Sequence, residues 1–211
     1  MRIAILAFPG ITALDAIGPY EVLARLPGAE VVFVAREPGA QATDPPATAL
    51  VADHGFPDVD QAEVLLVPGG VGRLRAQADP ETRAWVRRIH AGSTWTTSVC
   101  TGALILAHAG ILTGLRATTH WRAHHELAPL GVHPVGERVV EAGKVITAAG
   151  VSAGIDMALV LAARLANDDV ARAIQLGIEY DPQPPFAAGS VEKAGPGIVA
   201  IVEAAYAARG R

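Results

Sequence analysis

Short apolar runs alternate with longer helical patterns over the first half of the chain. The strand-like runs are 2–8, 29–35 and 63–70, which are rich in Ile, Val and Leu, and 94–99, "TWTTSV". Because the first three are continuously apolar rather than alternating, they predict strands that are covered on both faces, as in a parallel sheet. Strands that alternate with helices are typical of βαβ units, so the pattern predicts an α/β fold with a mostly parallel central sheet.

Helical patterns fill the intervals between these strands and continue to the end of the chain. Gly18-Pro19 is the start signal of the first predicted helix, and Asp79-Pro80 is that of the second. The two helices predicted in the middle of the chain are apolar nearly all round, which indicates that they are buried. The predicted helices are 18–26, 79–92, 101–110, 151–166 and 196–208.

The second half of the chain contains two further patterns. A hairpin is predicted over 138–150 with its turn at Ala142-Gly143, and 180–190 is Pro-rich and predicted to be extended. No internal repeat or low-complexity linker divides the chain. We therefore expect one domain over 1–211.

Composition narrows the functional class. Seventeen Lys and Arg against 21 Asp and Glu give a net charge of −4, and no basic run is longer than Arg87-Arg88, so a nucleic-acid partner is not expected. Charges interrupt the longest apolar windows, and the apolar start lacks a cleavage site, so neither a membrane span nor a signal peptide is expected. The single cysteine excludes an internal disulfide and favours a cytoplasmic location.

Three polar or glycine-rich positions follow three predicted strands. Asp15 comes after the first strand, "PGGVG" (68–72) after the third, and Cys100 directly after the fourth. Ligands of open α/β sheets bind beyond the carboxyl ends of the strands. The three positions are therefore expected to lie at one edge of the sheet.

Cys100 lies in the stretch S-V-C-T-G, which has the form of a nucleophile elbow between a strand and a helix. The helix N-terminus is expected to lower the thiol pKa and raise its reactivity. The alternative is a small buried hydrophobic residue. The glycines of 69–72 also have two interpretations, a simple tight turn or a loop that brings N–H groups to a substrate. Asp15 is either a local helix cap or an acid/base group.

Other candidate residues have structural explanations. His120 and His124 have the spacing of two ligands on one helix face, but no clear third ligand follows, so no metal site is expected. Asp156 interrupts an apolar helix near its start, where a structural role is favoured over catalysis.

Four segments resemble the ThiJ/PfpI superfamily, part of the class I glutamine amidotransferase-like fold. They are "LDAIGPYEVL", "VPGGVG", "TSVCTGALILAHAGILTGLRATTHW" and "EYDPQPPFAAGS". The likeness covers nearly the whole chain and is greatest to the isonitrile (isocyanide) hydratase branch. It implies a flavodoxin-like three-layer α/β sandwich, a homodimer, a small-molecule substrate and no cofactor.

The resemblance also implies roles for individual residues. Cys100 would be the nucleophile that attacks the isocyanide carbon to form a thioimidate, Asp15 the general acid/base, and Thr101 a residue that positions Asp15 or water. Residues implied to contact the substrate are Gly69, Gly70, Val71, His120, Gly150 and Val151.

Differences from other branches refine this hypothesis. Thr101 stands where protease-like members have a histidine, which disfavours peptidase activity. Asp15 stands where many relatives with glyoxalase or repair activity have Glu, which favours the hydratase branch. Two alternatives remain: a dicarbonyl glyoxalase or repair activity, and a non-catalytic or redox-sensing module that binds a small metabolite. The same domain is the sensor half of AraC-type regulators, whose helix-turn-helix domain we do not expect after Arg211.

Overall fold

A computed structural model describes residues 1–208. Its strands are β1 Arg2–Leu6, β2 Glu30–Ala35, β3 Gly39–Ala42, β4 Ala49–Ala52, β5 His54–Gly55, β6 Val64–Val67, β7 Trp95–Val99, β8 Arg116–Ala117, β9 His133–Pro134, β10 Val139–Ala142 and β11 Val145–Ala148. The main sheet has seven strands in the order β10-β11-β7-β6-β1-β2-β5, and two further pairs, β3-β4 and β8-β9, lie outside it.

The four strands predicted from apolar runs form the centre of this sheet. β1 pairs in parallel with β2 and with β6, and β6 pairs in parallel with β7. β11 extends the sheet in parallel beside β7, and β10 is the antiparallel strand of the predicted hairpin. The carboxyl ends of β1, β6 and β7 therefore lie next to one another, as the sequence predicts.

Helices cover the sheet in two groups. The helices are α1 Ala13–Leu23, α2 Arg73–Ala78, α3 Pro80–Gly92, α4 Gly102–His108, α5 Ala153–Leu165, α6 Asp168–Gly177 and α7 Val191–Ala208. α1 packs on α5, which contacts α6, whereas α2, α3 and α4 pack on one another. With the mostly parallel sheet between helices, this is the predicted flavodoxin-like α/β fold.

The first helix begins five residues before the predicted start. Gly18 and Pro19 lie inside α1 instead of opening it, so that prediction was wrong. A Cβ on Gly18 would lie 3.0 Å from Ile155 Cγ1, and one on Gly154 would lie 3.1 Å from Pro19 Cγ. Close packing of α1 on α5 at these positions overrides the local signal.

Several short elements are absent from the sequence-based prediction. They comprise the β3-β4 hairpin, β5, β8, β9, α2, α6 and two 3-10 turns at Trp121–Glu126 and Ala128–Leu130. α6 has a local signal, because the Asn167 side chain caps it by accepting a hydrogen bond from Val170 N–H at 3.0 Å. The last element, Val191–Ala208, consists of two helical segments joined across the non-helical Gly195, whose φ is 72°, and the second segment matches the helix predicted over 196–208.

Two compact units divide the chain, Met1–Ile178 and Glu179–Arg211. The first contains the whole sheet and α1 to α6, and the second contains α7. No helix or strand forms within 180–190, and bends occur at 185–187 and 189–190, so an extended conformation there stays a prediction. A single domain over 1–211 stays a prediction, and 209–211 lie outside the described residues.

Candidate active site

The bend at Cys100 joins β7 to α4. Cys100 has a φ of 56°, in the left-handed region that few residues other than glycine adopt. Its N–H donates to the carbonyls of Ala148 and Ala149 at 3.1 and 3.0 Å, and its own carbonyl accepts from Thr119 Oγ1 at 2.8 Å. Hydrogen bonds on both sides of the residue hold this backbone conformation, as expected of a nucleophile elbow.

The start of α4 lies unusually close to β6. A Cβ on Gly102 would lie 2.0 Å from the carbonyl oxygen of Val67. Only glycine allows this approach, so Gly102 fixes the position of the helix directly after the elbow.

Asp15 lies in the first turn of α1 and has no solvent exposure. Its Oδ2 accepts a hydrogen bond from Gly69 N–H at 3.0 Å, and Oδ1 has no hydrogen-bond partner of standard geometry in the part of the chain described. Burial raises the pKa of Asp15 to about 7, against the opposing effects of Gly69 N–H and the Cys100 thiol. A carboxyl with this pKa can donate or accept a proton near neutral pH.

Glycines of the β6-α2 loop hold Asp15 and Thr101 next to each other. Gly70 N–H donates to Thr101 Oγ1 at 3.1 Å. A Cβ on Gly69 would lie 2.5 Å from Thr101 Oγ1 and 3.0 Å from Asp15 Oδ2. Gly70 has a φ of 132°, and a Cβ there would lie 2.3 Å from the carbonyl of Gly10. These contacts require glycine at both positions.

Cys100 is buried, with 6% of its surface exposed. Its burial, and then the negative charge of Asp15, raise the thiol pKa well above its usual range, and the N–H groups of Thr101 and Val151 oppose this shift only in part. The expectation that the helix N-terminus lowers the pKa was wrong, because desolvation outweighs those N–H groups. At neutral pH, Cys100 and Asp15 together therefore hold at least one proton.

The loop after β11 closes another side of the elbow. Val151 has a φ of 31°, a strained conformation for a β-branched residue, and its N–H faces the Cys100 sulfur. A Cβ on Gly150 would lie 2.6 Å from Cδ2 of His120. His120 and Gly150 therefore lie against each other beside the elbow.

The remaining predicted residues occupy less enclosed positions. Val71 is 42% exposed next to Gly70. His124 Nε2 is 3.3 Å from Thr118 Oγ1, and burial lowers the pKa of His124. Among residues 1–208, no group of three or more His, Cys, Asp or Glu side chains is placed to hold a metal ion. None of the helices described is long and apolar enough to cross a bilayer.

Two features of the site were missed by the sequence-based reasoning. Thr119, within "RATTHW", holds the Cys100 carbonyl, and only its position beside His120 could have suggested this. Arg73 forms two hydrogen bonds with the Glu126 carboxylate, at 2.9 and 2.7 Å, which tie α2 to the 3-10 turn that follows His120. No local pattern marks a pair that is 53 residues apart.

This chain is similar in sequence to several known proteins. The model of the DJ-1/PfpI family matches residues 1–164. The isonitrile hydratase of Pseudomonas putida is 42% identical over 199 residues, which cover 94% of this chain and 87% of that protein. The HTH-type transcriptional regulator CdhR of Pseudomonas aeruginosa is 33% identical over 117 residues, which cover 54% of this chain and only 34% of the regulator.

Solved structures show the same relationship. A ThiJ/PfpI family protein from Pseudomonas syringae superposes with a TM-score of 0.92 at 40% identity, covering 96% of this chain and 84% of that one. Drosophila melanogaster DJ-1beta shares the fold, with a TM-score of 0.77 at 21% identity over 84% of this chain and 97% of its own. From its sequence and its fold, this chain belongs to the DJ-1/PfpI family.

Proposed function

We propose that this protein is an isonitrile hydratase, which converts R–N≡C and water to the formamide R–NH–CHO. The observation that carries the proposal is the buried pair of Cys100 and Asp15, in which a nucleophile lies beside a carboxyl whose pKa is about 7. The 42% identity to an isonitrile hydratase over 94% of the chain supports the choice of substrate.

The proposed first step forms a covalent intermediate. The Cys100 sulfur attacks the terminal carbon of the isocyanide, while that carbon receives the proton held by Asp15. The product is the thioimidate R–N=CH–S–Cys100, and Asp15 is left as a carboxylate. Because Oδ2 is bound to Gly69 N–H, we assign the proton transfer to Oδ1.

The second step releases the formamide. Asp15 takes a proton from water as the water oxygen bonds to the thioimidate carbon, and passes that proton to the nitrogen. The hydroxyl group of the resulting tetrahedral intermediate then gives its proton to Asp15 as the C–S bond breaks, which releases the formamide and leaves Cys100 as a thiolate. Cys100 and Asp15 then again hold one proton between them. Thr101, positioned by Gly70 N–H, is proposed to orient Asp15 or the water, and His120, Gly69, Gly70, Val71, Gly150 and Val151 to surround the substrate.

Turnover of an aryl isocyanide tests this function directly. Formamide formation, followed by chromatography, is expected with the wild-type protein and not with Cys100→Ala. Asp15→Asn is expected to reduce kcat by about 100-fold or more, the usual contribution of a general acid/base. Absence of formamide with the wild-type protein, or equal rates with Cys100→Ala, would refute the proposal.

The pH dependence of kcat/KM provides an independent test. Below pH 7 both Asp15 and Cys100 are protonated and no thiolate is available, whereas above it the pair holds one proton and the sulfur can attack. We expect kcat/KM to rise about tenfold per pH unit up to about pH 7 and then to level off. A flat profile from pH 5 to 8 would contradict the assignment of Asp15.

A second candidate is a non-catalytic module that binds a small metabolite at the same site. The likeness to the regulator CdhR over 117 residues supports it. This candidate predicts that Cys100→Ala and Asp15→Asn keep ligand affinity and that no substrate is turned over. Lactate formation from methylglyoxal would instead identify a glyoxalase.

We also propose that the protein acts as a homodimer in the cytoplasm. The single cysteine needs no oxidising compartment. Light scattering after size-exclusion chromatography measures the mass, and a mass of one chain, 21.8 kDa, would contradict the dimer.

A further inference from the structure

A cavity opens at the same edge of the sheet as the Cys100 site, beyond the carboxyl ends of β1 and β2. Its volume is about 330 Å³, which is within the range of sites for small molecules. Neither Cys100 nor Asp15 is among the described residues that line it. The apolar side chains of the lining are Leu6, Ala7, Phe8, Pro9, Phe56 and Ala76.

The side chain of Phe56, part of the apolar floor of this cavity, is fixed in place by packing against a neighbouring aromatic ring. Phe56 stacks on Trp85 with ring centroids 4.9 Å apart and an interplanar angle of 12°. Trp85 is itself buried and donates its indole N–H to the Val59 carbonyl at 2.9 Å. The apolar floor is therefore preformed, which reduces the entropic cost of binding.

Most polar groups of the lining already have protein partners. Asp79 accepts hydrogen bonds from Arg36 at 3.3 Å and from Thr82 Oγ1 at 2.7 Å. The Gln41 side-chain amide donates to the carbonyls of Glu37 and Gly39. A ligand is not needed to satisfy these groups.

Two charged side chains of the lining differ from the rest. Within residues 1–208, the side chains of Glu37 and Arg75 make no hydrogen bond or ion pair, so the rim offers one free acceptor and one free donor. Together with Arg36 and Asp79, the lining has two charges of each sign and no formal net charge. This balance favours an uncharged ligand with a polar head group.

We propose that this cavity binds a small uncharged aromatic or alicyclic amide. The ring would occupy the apolar floor, the amide carbonyl would accept from the Arg75 guanidinium, and the amide N–H would donate to the Glu37 carboxylate. A cavity of about 150 Å³ is enough for benzene, so the space here holds a ring together with its head group. The inference does not depend on the reaction proposed for Cys100.

The β6-α2 loop contributes both to this cavity and to the Cys100 site. Its Gly72 lines the cavity beside Pro9, and a Cβ on Gly72 would lie 1.9 Å from the Pro9 carbonyl oxygen. Its Gly69 and Gly70 supply the N–H groups that bind Asp15 and Thr101. A ligand in the cavity therefore contacts the segment that positions the acid/base group.

Titration with benzamide, followed by the amide signals in two-dimensional NMR, tests the proposal. We expect shifts at lining residues, including Phe8, Phe56 and Ala76, and at least tenfold weaker binding of benzoate and of benzylamine. Shifts confined to the surroundings of Cys100, or equal affinity for the charged compounds, would overturn it.

Variants of α2 provide the matched control. Ala76→Leu fills the cavity and is expected to weaken benzamide binding at least tenfold, whereas Ala78→Leu, at an exposed position of the same helix, is expected to leave it unchanged. Equal binding by these two variants would refute the site. If Ala76→Leu does not fold, the exposed Arg75→Ala decides: a loss of affinity supports the site and unchanged affinity refutes it.

Discussion

Asp15 combines complete burial with an ionisable carboxyl, which links stability to pH. Its pKa is about 7 in the folded protein and near the ordinary aspartate value of 3.8 when unfolded. Between these values the folded state binds more protons than the unfolded state, so its stability falls as pH rises from 4 to 7. The site therefore lowers the free energy of unfolding at the pH where its chemistry is expected.

Asp15→Asn is expected to remove the part of the fall in stability between pH 4 and pH 7 that comes from the Asp15 carboxyl. The free energy of unfolding of the variant, relative to wild type, should increase by a few kcal/mol between pH 4.5 and pH 7.5. Urea titrations at several pH values measure it. The exposed Asp53→Asn is the control and should show no such trend; an equal trend in both variants would contradict the raised pKa of Asp15.

Thr119 is expected to act on catalysis through the elbow rather than by contact with the substrate. Thr119→Val removes the hydrogen bond of 2.8 Å to the Cys100 carbonyl and leaves this buried acceptor unpaired, a cost of about 1–3 kcal/mol. We expect kcat for isocyanide hydration to fall about tenfold or more with KM nearly unchanged. Thr119→Ser keeps the hydroxyl and should restore kcat; equal loss in both variants would exclude this role.

At the scale of secondary-structure elements, the position of α4 depends on a single close contact. Gly102→Ala would place a methyl group 2.0 Å from the Val67 carbonyl oxygen, and we expect destabilisation of about 3 kcal/mol or more. Gly92→Ala is a matched control at the end of α3, because a Cβ there meets nothing within 4 Å. Thermal unfolding measures both, and similar melting temperatures would refute the tight packing.

β1, β2 and β6 were predictable because each lies in a nearly continuous apolar run that belongs in a doubly covered sheet, and β7 was predictable because Trp, Thr and Val favour strands. Their carboxyl ends then located Asp15, the glycine loop and Cys100 together. The start of α1 was not predictable, because it depends on packing between Gly18 and Ile155, which are distant in sequence. The raised pKa of Cys100 likewise depends on burial by elements that no local pattern describes.

At the scale of the whole molecule, one cysteine provides a probe of how the first unit opens. Cys100 is 6% exposed and its pKa is raised, so few thiolates are accessible in the folded state. We expect a bulky disulfide reagent to react about 100-fold more slowly with the folded protein than with the urea-unfolded chain. Absorbance of the released thiol measures the rates, Cys100→Ala gives the background, and equal rates would contradict the burial.

The strand order has a consequence for biosynthesis. β7 carries the elbow, yet its neighbour β11 comes from residues about 50 positions later, and Cys100 N–H bonds to Ala148 and Ala149. When the ribosome has synthesised the chain only as far as Cys100, the edge of β7 that later pairs with β11 is unpaired, and the Cys100 N–H lacks its acceptors Ala148 and Ala149. Until the ribosome has released residue 149, that edge is exposed to wrong pairing, and the sulfur acquires its final geometry only afterwards.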